Sequence, residues 1–180
     1  MYKRQGQRVS AVPVQRELIP IDYATDLELS SWAGLGYTMI FDIESYWNYF
    51  LIGCKCLETG KYVVFEDSPG STINLDKLSW LVWNFRFIGF NSTTYDTPML
   101  FLCLRGYKAE RLKECSNILI PPYGDPQRVD IKERFNLFIP QSFNHIDLFN
   151  VAPLTGSLKK YAARLHAQRL QDLPFPPDAV

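Results

Sequence analysis

At 180 residues and 47% hydrophobic content, the chain can bury one substantial core, and one compact domain is expected. Nineteen basic residues balance nineteen acidic ones, which excludes a global basic field that grips a long duplex by counterion release and confines any nucleic-acid contact to a local surface. No apolar run of membrane-spanning length and no secretory leader pattern occur, so a cytoplasmic protein with no membrane contact and four reduced thiols (Cys54, Cys56, Cys103 and Cys115) is expected.

Residues 1–36 mix Pro13, Pro20, Gly34 and Gly36 with short apolar pieces, and read as an N-terminal arm holding one short strand or helix. Strands are predicted over 37–43, 49–56 and 61–65, the last two joined by a turn at Glu58-Thr-Gly60. Asn74 is placed to cap a helix whose Leu75, Leu78, Leu81, Val82 and Phe85 share one face. A short buried strand over 87–90 leads to a helix over 97–104, with Asp96 at its start, Pro98 in its first turn and Gly106 past its end. A further helix is predicted over 108–119. Pro121 and the residues after it open a loop expected to reach about residue 135. Residues 143–149 read as a further strand or strand end, and Ser157 caps a helix over 158–165 with Leu158, Tyr161, Ala162 and Leu165 inward. Prolines among 174–177 close it.

On the first of these strands Asp42 and Glu44 stand two residues apart. Side chains alternate along a strand, so both carboxylates leave one side while Tyr37, Met39, Phe41 and Ile43 leave the other. Two carboxylates on one face suit a hard divalent cation, which takes oxygen ligands from acids and substrate phosphates. Cys54 and Cys56 flank a single residue, a spacing unlike the zinc knuckle, so structural zinc is not expected. Asp147 reads as a polar residue closing a strand, His145 and His166 as structural or exposed, and Lys159, Lys160, Arg164 and Arg169 as a solvated helix face.

Asp42-Ile-Glu44 on a strand, then Gly89-Phe-Asn91 leading into Tyr95-Asp96, resembles the first two motifs of the DEDD exonucleases, specifically the 3′-to-5′ proofreading domains of family B and related bacteriophage DNA polymerases. His145-Ile-Asp-Leu148 followed by Ser157-Leu-Lys159 is similar to the segment between the second and third motifs, so the likeness runs over roughly residues 37–172. The resemblance implies an α/β domain of ribonuclease-H-like architecture over 37–180, a mixed five-stranded sheet flanked by helices. It implies two divalent cations, Mg2+ or Mn2+, on Asp42, Glu44 and Asp96. It further implies that Ser45, Asn91 and Tyr95 meet a single-stranded DNA 3′ end, and that a polymerase region lies C-terminal to this segment. The third motif would add an aspartate preceded four residues earlier by a tyrosine or five by a histidine. Neither spacing occurs, since Tyr161 is followed by Leu165 and His166 lies six before Asp172. The segment is therefore expected to end short of that motif. Two other readings stay open: a catalytically silent module that binds a single strand or a partner protein, and a small RNA exonuclease.

Overall fold

Alternating burial along three successive segments builds the first half of the sheet, because each strand sends every second side chain into the core. In the computed structural model, which describes residues 20–120, 130–153 and 156–165, these are β1 (Thr38–Tyr46), β2 (Tyr49–Cys56) and β3 (Tyr62–Asp67). They pair antiparallel in sequence. Two shorter strands, β4 (Arg86–Gly89) and β5 (His145–Asp147), add to the other side of β1 in parallel, giving the order β3-β2-β1-β4-β5. This is an α/β fold with a mixed five-stranded sheet in a ribonuclease-H-like arrangement.

Seven helices are described: α1 (Asp26–Leu35), α2 (Leu75–Asn84), α3 (Asp96–Leu104), α4 (Ala109–Leu119), α5 (Ile131–Phe135), α6 (Leu148–Val151) and α7 (Leu158–Arg164). The α3 and α4 helices pack on β1, and α4 also reaches β2. Beneath them lie Met39, Phe41, Ile43, Phe50, Ile52, Cys54 and Phe87. Phe50 and Phe87 are fully buried, and truncating either to alanine is expected to cost ~3–5 kcal/mol. The alternate residues of β1, Ile40 and Asp42, reach solvent on the opposite face, as do Lys55 of β2 and Ile146 of β5. No helix among the described residues is long and apolar enough to cross a membrane.

At the end of the leading segment, α1 opens with a capping box between Thr25 and Glu28, and it buries Leu29 and Trp32 in the common core. Residue Tyr23 forms a parallel bridge to Tyr62, so the segment before α1 also borders β3. As the sequence indicates, Asn74 caps α2 through its side chain, Gly60 turns the β2–β3 hairpin at φ 76°, and Gly106 follows α3 at φ 87°.

Several expectations need correction. The first strand runs on to Tyr46 because its whole length pairs with β2. The loop placed up to residue 135 instead contains α5, whose N-cap Asp130 accepts the N–H groups of Lys132 and Glu133. The strand placed over 143–149 is only three residues long. The side chain of Asp147 stops it by capping α6 through the Phe149 N–H. Ser157 caps α7 as expected, but Leu158 and Leu165, placed on its inner face, are exposed, while Tyr161 and Ala162 are half-buried. Residues 121–129, His166, Arg169, Asp172 and the prolines among 174–177 lie outside the described residues.

Candidate active site

The parallel pairing of β4 with β1 covers only Thr38 to Ile40, after which the chain turns away at Gly89 while β1 continues to Tyr46. The β4-facing edge of β1 is thereby left without a strand partner at Asp42, Ile43 and Glu44. Asp96, the first residue of α3, takes that place: its Oδ1 accepts the Ile43 N–H at 3.2 Å. The Ile43 nitrogen is one peptide bond from the Cα of Asp42, so standard backbone geometry puts Asp96 Oδ1 within about 6 Å of that Cα. Ligands of open α/β sheets bind at such carboxyl ends of parallel strands.

The electrostatics record the crowding. Burial and then the Asp42 charge raise the Asp96 pKa from 3.8 to about 7. Burial raises Asp42 as well, against a lowering pull from the Ile43 N–H, the same group that Asp96 accepts. Asp42 is exposed by surface area, but the flanking protein still strips enough water from its carboxylate to disfavour the charge. Glu44 is raised by burial and then by Asp42. The phenol of Tyr95 is raised by burial and feels all three acids, while its hydroxyl is hydrogen-bonded to Ser116 Oγ of α4 at 2.9 Å. Asp42, Glu44, Asp96 and Tyr95 therefore share one electrostatic site. None of the three carboxylates is ion-paired within the described residues.

The other two sequence-derived positions fall differently. Ser45 is buried on the face opposite Asp42 and Glu44, and among the described residues its Oγ has no hydrogen-bond partner, as is also true of Thr97 Oγ1 in the first turn of α3. Asn91 sits just past β4 in the left-handed region at φ 58°, with an exposed side chain whose Oδ1 accepts from Thr94 Oγ1 at 3.2 Å. Its backbone N–H is held by Asp147 Oδ1 at 2.8 Å.

That last contact belongs to a group whose members the sequence reads as structural, Asp147 closing a strand as expected, but whose hold on this loop it does not show. Asp147 is buried at 7% exposure, and besides Asn91 it accepts the N–H groups of Thr93 at 2.9 Å and Phe149 at 3.0 Å. These donors outweigh the burial and hold its pKa below the usual value. Two residues earlier on β5, His145 Nε2 is 2.8 Å from Ser92 Oγ, its ring stacked on Phe143 and its pKa lowered by burial. Ser92 is fully buried against the end of β4, where a Cβ on Gly89 would come within 2.4 Å of it. Any side chain at 89 would collide with the Ser92 Cβ and Oγ, so the loop can close over the strand end only on glycine. The alternation of His145 and Asp147 on one short strand was the available signal, but which loop they hold is a contact across more than fifty residues.

Among the described residues no three His, Cys, Asp or Glu side chains converge as a ready ligand cage. Asp42, Glu44 and Asp96 are nonetheless oxygen donors near one strand end that burial, and for Glu44 and Asp96 the Asp42 charge, shifts toward protonation, the opposite of what a nearby cation would do. A surface groove of about 250 Å³ lies elsewhere, between α1 and α2, lined by Asp26, Leu29, Ser30, Asn74, Lys77 and Trp80. Its Asp26 and Lys77 already neutralise each other, and none of the candidate residues lines it. Set against known proteins, the chain matches no protein-family model, no curated protein and no solved structure.

Proposed function

We propose that this chain is a metal-dependent 3′-to-5′ exonuclease region acting on single-stranded DNA ends, in the manner of the proofreading domain of a DNA polymerase. The reading is carried by one observation: Asp96, from the start of α3, is hydrogen-bonded to Ile43 between Asp42 and Glu44 at the carboxyl end of β1. The order of the two acidic motifs along the chain and the ribonuclease-H-like sheet support it.

In this reading Asp42, Glu44 and Asp96 hold the cations. When bound, two divalent ions supply a nucleophilic water and charge stabilisation for phosphodiester displacement. The protein's own contribution is to crowd these carboxylates so that a cation relieves their repulsion. Asp96 keeps a proton near neutrality until a cation displaces it, so cation affinity rises with pH through about 7. Asn91, exposed where the chain leaves β4, offers its side-chain N–H groups to the strand. Tyr95 presents an aromatic ring fixed by Ser116. Ser45 contributes backbone only, since its side chain faces the core.

The test is trimming of a 5′-labelled single-stranded oligodeoxynucleotide with Mg2+ or Mn2+, comparing the native chain with Asp42→Ala. Stepwise 3′ shortening that Asp42→Ala abolishes supports the reading. Binding of the oligonucleotide with no shortening would replace it with a silent binding module, and shortening of RNA alone would replace it with an RNA exonuclease.

A further inference from the structure

The loop between β4 and α3 does two jobs at once: it ends the parallel pairing beside β1, and it delivers Asp96 into the gap that this leaves. Within the loop, Phe90-Asn-Ser-Thr-Thr-Tyr95, Asn91 takes the left-handed region that asparagine tolerates better than most residues, and Thr94 Oγ1 bonds back to the Asn91 carbonyl and side-chain oxygens at 3.1 and 3.2 Å. These local bonds leave the turn's position against the sheet open, and the groups that hold it there are on β5. The two oxygens of Asp147 divide between the Asn91 and Thr93 N–H groups, at 2.8 and 2.9 Å, while Ser92 between them is pinned by His145 at 2.8 Å. From Ser92 the path continues directly, because its carbonyl accepts the Thr97 N–H at 2.8 Å in the first turn of α3. Thr97 is the neighbour of Asp96.

We infer that Asp147 is a positioning residue for the candidate site: by fixing the Asn91–Thr93 turn, with the Ser92–His145 pair beside it, it sets the start of α3 and so holds Asp96 against Ile43. The inference deepens the proposed exonuclease reading and rests on it for its catalytic meaning, although its geometric content is independent. Asp147 has no place in the ligand set itself, since its oxygens are spent on backbone donors. Its closeness to Asp96 is felt as charge, but its action runs through the loop.

The experiment uses the full chain and two variants, Asp147→Asn and Ser92→Ala. The first readout is amide hydrogen exchange of Ile43 relative to Ile52, its cross-strand neighbour in β2. A merely structural role lowers the protection of both together, whereas positioning lowers Ile43 selectively. The expected result is a relative acceleration of about tenfold or more for Asp147→Asn and about threefold for Ser92→Ala, the smaller because one hydroxyl contact is lost. The second readout is Mn2+ affinity, expected to weaken about 10–100-fold in Asp147→Asn, as for residues that orient ligands from behind. An unchanged Ile43 to Ile52 ratio in the variants overturns the inference, and so does weakened Mn2+ binding with Ile43 unaffected. If Asp147→Asn does not fold, Ser92→Ala decides alone. If Ile43 responds as expected but the native chain binds no Mn2+, the positioning role stands and the metal-dependent reading fails.

Discussion

Two aspartates, Asp96 and Asp147, are buried to nearly the same degree, at 6% and 7% exposure, and their carboxyls are driven in opposite directions. Asp147, at the end of β5, accepts three backbone N–H groups, and its pKa falls. Asp96, beside β1, has the Ile43 N–H and the start of its own helix in its favour, yet burial and the Asp42 charge carry its pKa up to about 7. One region has matched its charge with donors and is a structural joint. The other has gathered charges with too few donors, an arrangement that costs stability unless a ligand offsets it. Equal surface exposure of the same side chain therefore says little; the depth of protein packed around each carboxyl, with its donors and neighbouring acids, separates clamp from site.

The largest break in that comparison should come from removing a carboxylate of the site. Asp42→Ala is expected to reduce Mg2+-dependent trimming of single-stranded DNA about a thousandfold, roughly 4 kcal/mol of transition-state stabilisation, while leaving the fold intact. Initial rates at saturating Mg2+ would measure it. Asp147→Asn should do the reverse to stability. Replacing the charged acceptor of three N–H groups with an amide that turns a donor toward one of them should cost about 3–5 kcal/mol at pH 7, read by denaturant unfolding. Asp147 is depressed in the fold, so its stabilisation is complete above the unfolded value near 3.8 and lost as pH falls through the lower folded value.

The sign reverses for Asp96. Its folded pKa is raised, so the folded state takes up a proton near pH 7 that the unfolded chain takes up only near 3.8. Its cost to stability is full above about pH 7, shrinks as pH falls and vanishes below 3.8. Asp96→Asn retains an acceptor for the Ile43 N–H, and without divalent cations it should stabilise the fold by about 2–4 kcal/mol at pH 8 and by nothing at pH 3.5. Paired unfolding curves at the two pH values check this. Leu158→Ala on exposed α7 sets the floor, with a change within about 0.5 kcal/mol in the same assay.

How far the sequence disclosed this contrast depended on the range of the interactions. Strand alternation placed Asp42 and Glu44 on the face opposite Met39, Phe41 and Ile43, and helical spacing behind Asn74 placed Leu78, Leu81 and Val82 in the core, because both patterns are local. The sequence placed a strand or strand end over 143–149, where β5 lies, but not its shortness, because its end was set by a cap formed by Asp147 itself. The α5 helix was signalled by Asp130, but the prolines before it suggested a longer loop. On α7 the spacing of Leu158 and Leu165 names residues sharing a face without saying whether anything packs there. The two carboxylate environments were the least legible, since Asp96 meets Ile43 and Asp147 meets Asn91 across more than fifty residues.

The most direct test of the cation-seeking cluster at the end of β1 is an NMR titration of the Asp96 side-chain carboxyl in the full chain, without and then with saturating Mg2+. The account predicts a pKa of about 7 in the absence of the ion, falling below about 5 in its presence, as the cation takes the place of the proton. A value near 3.8 in both conditions, or one that stays near 7 whatever the Mg2+ concentration, would contradict it.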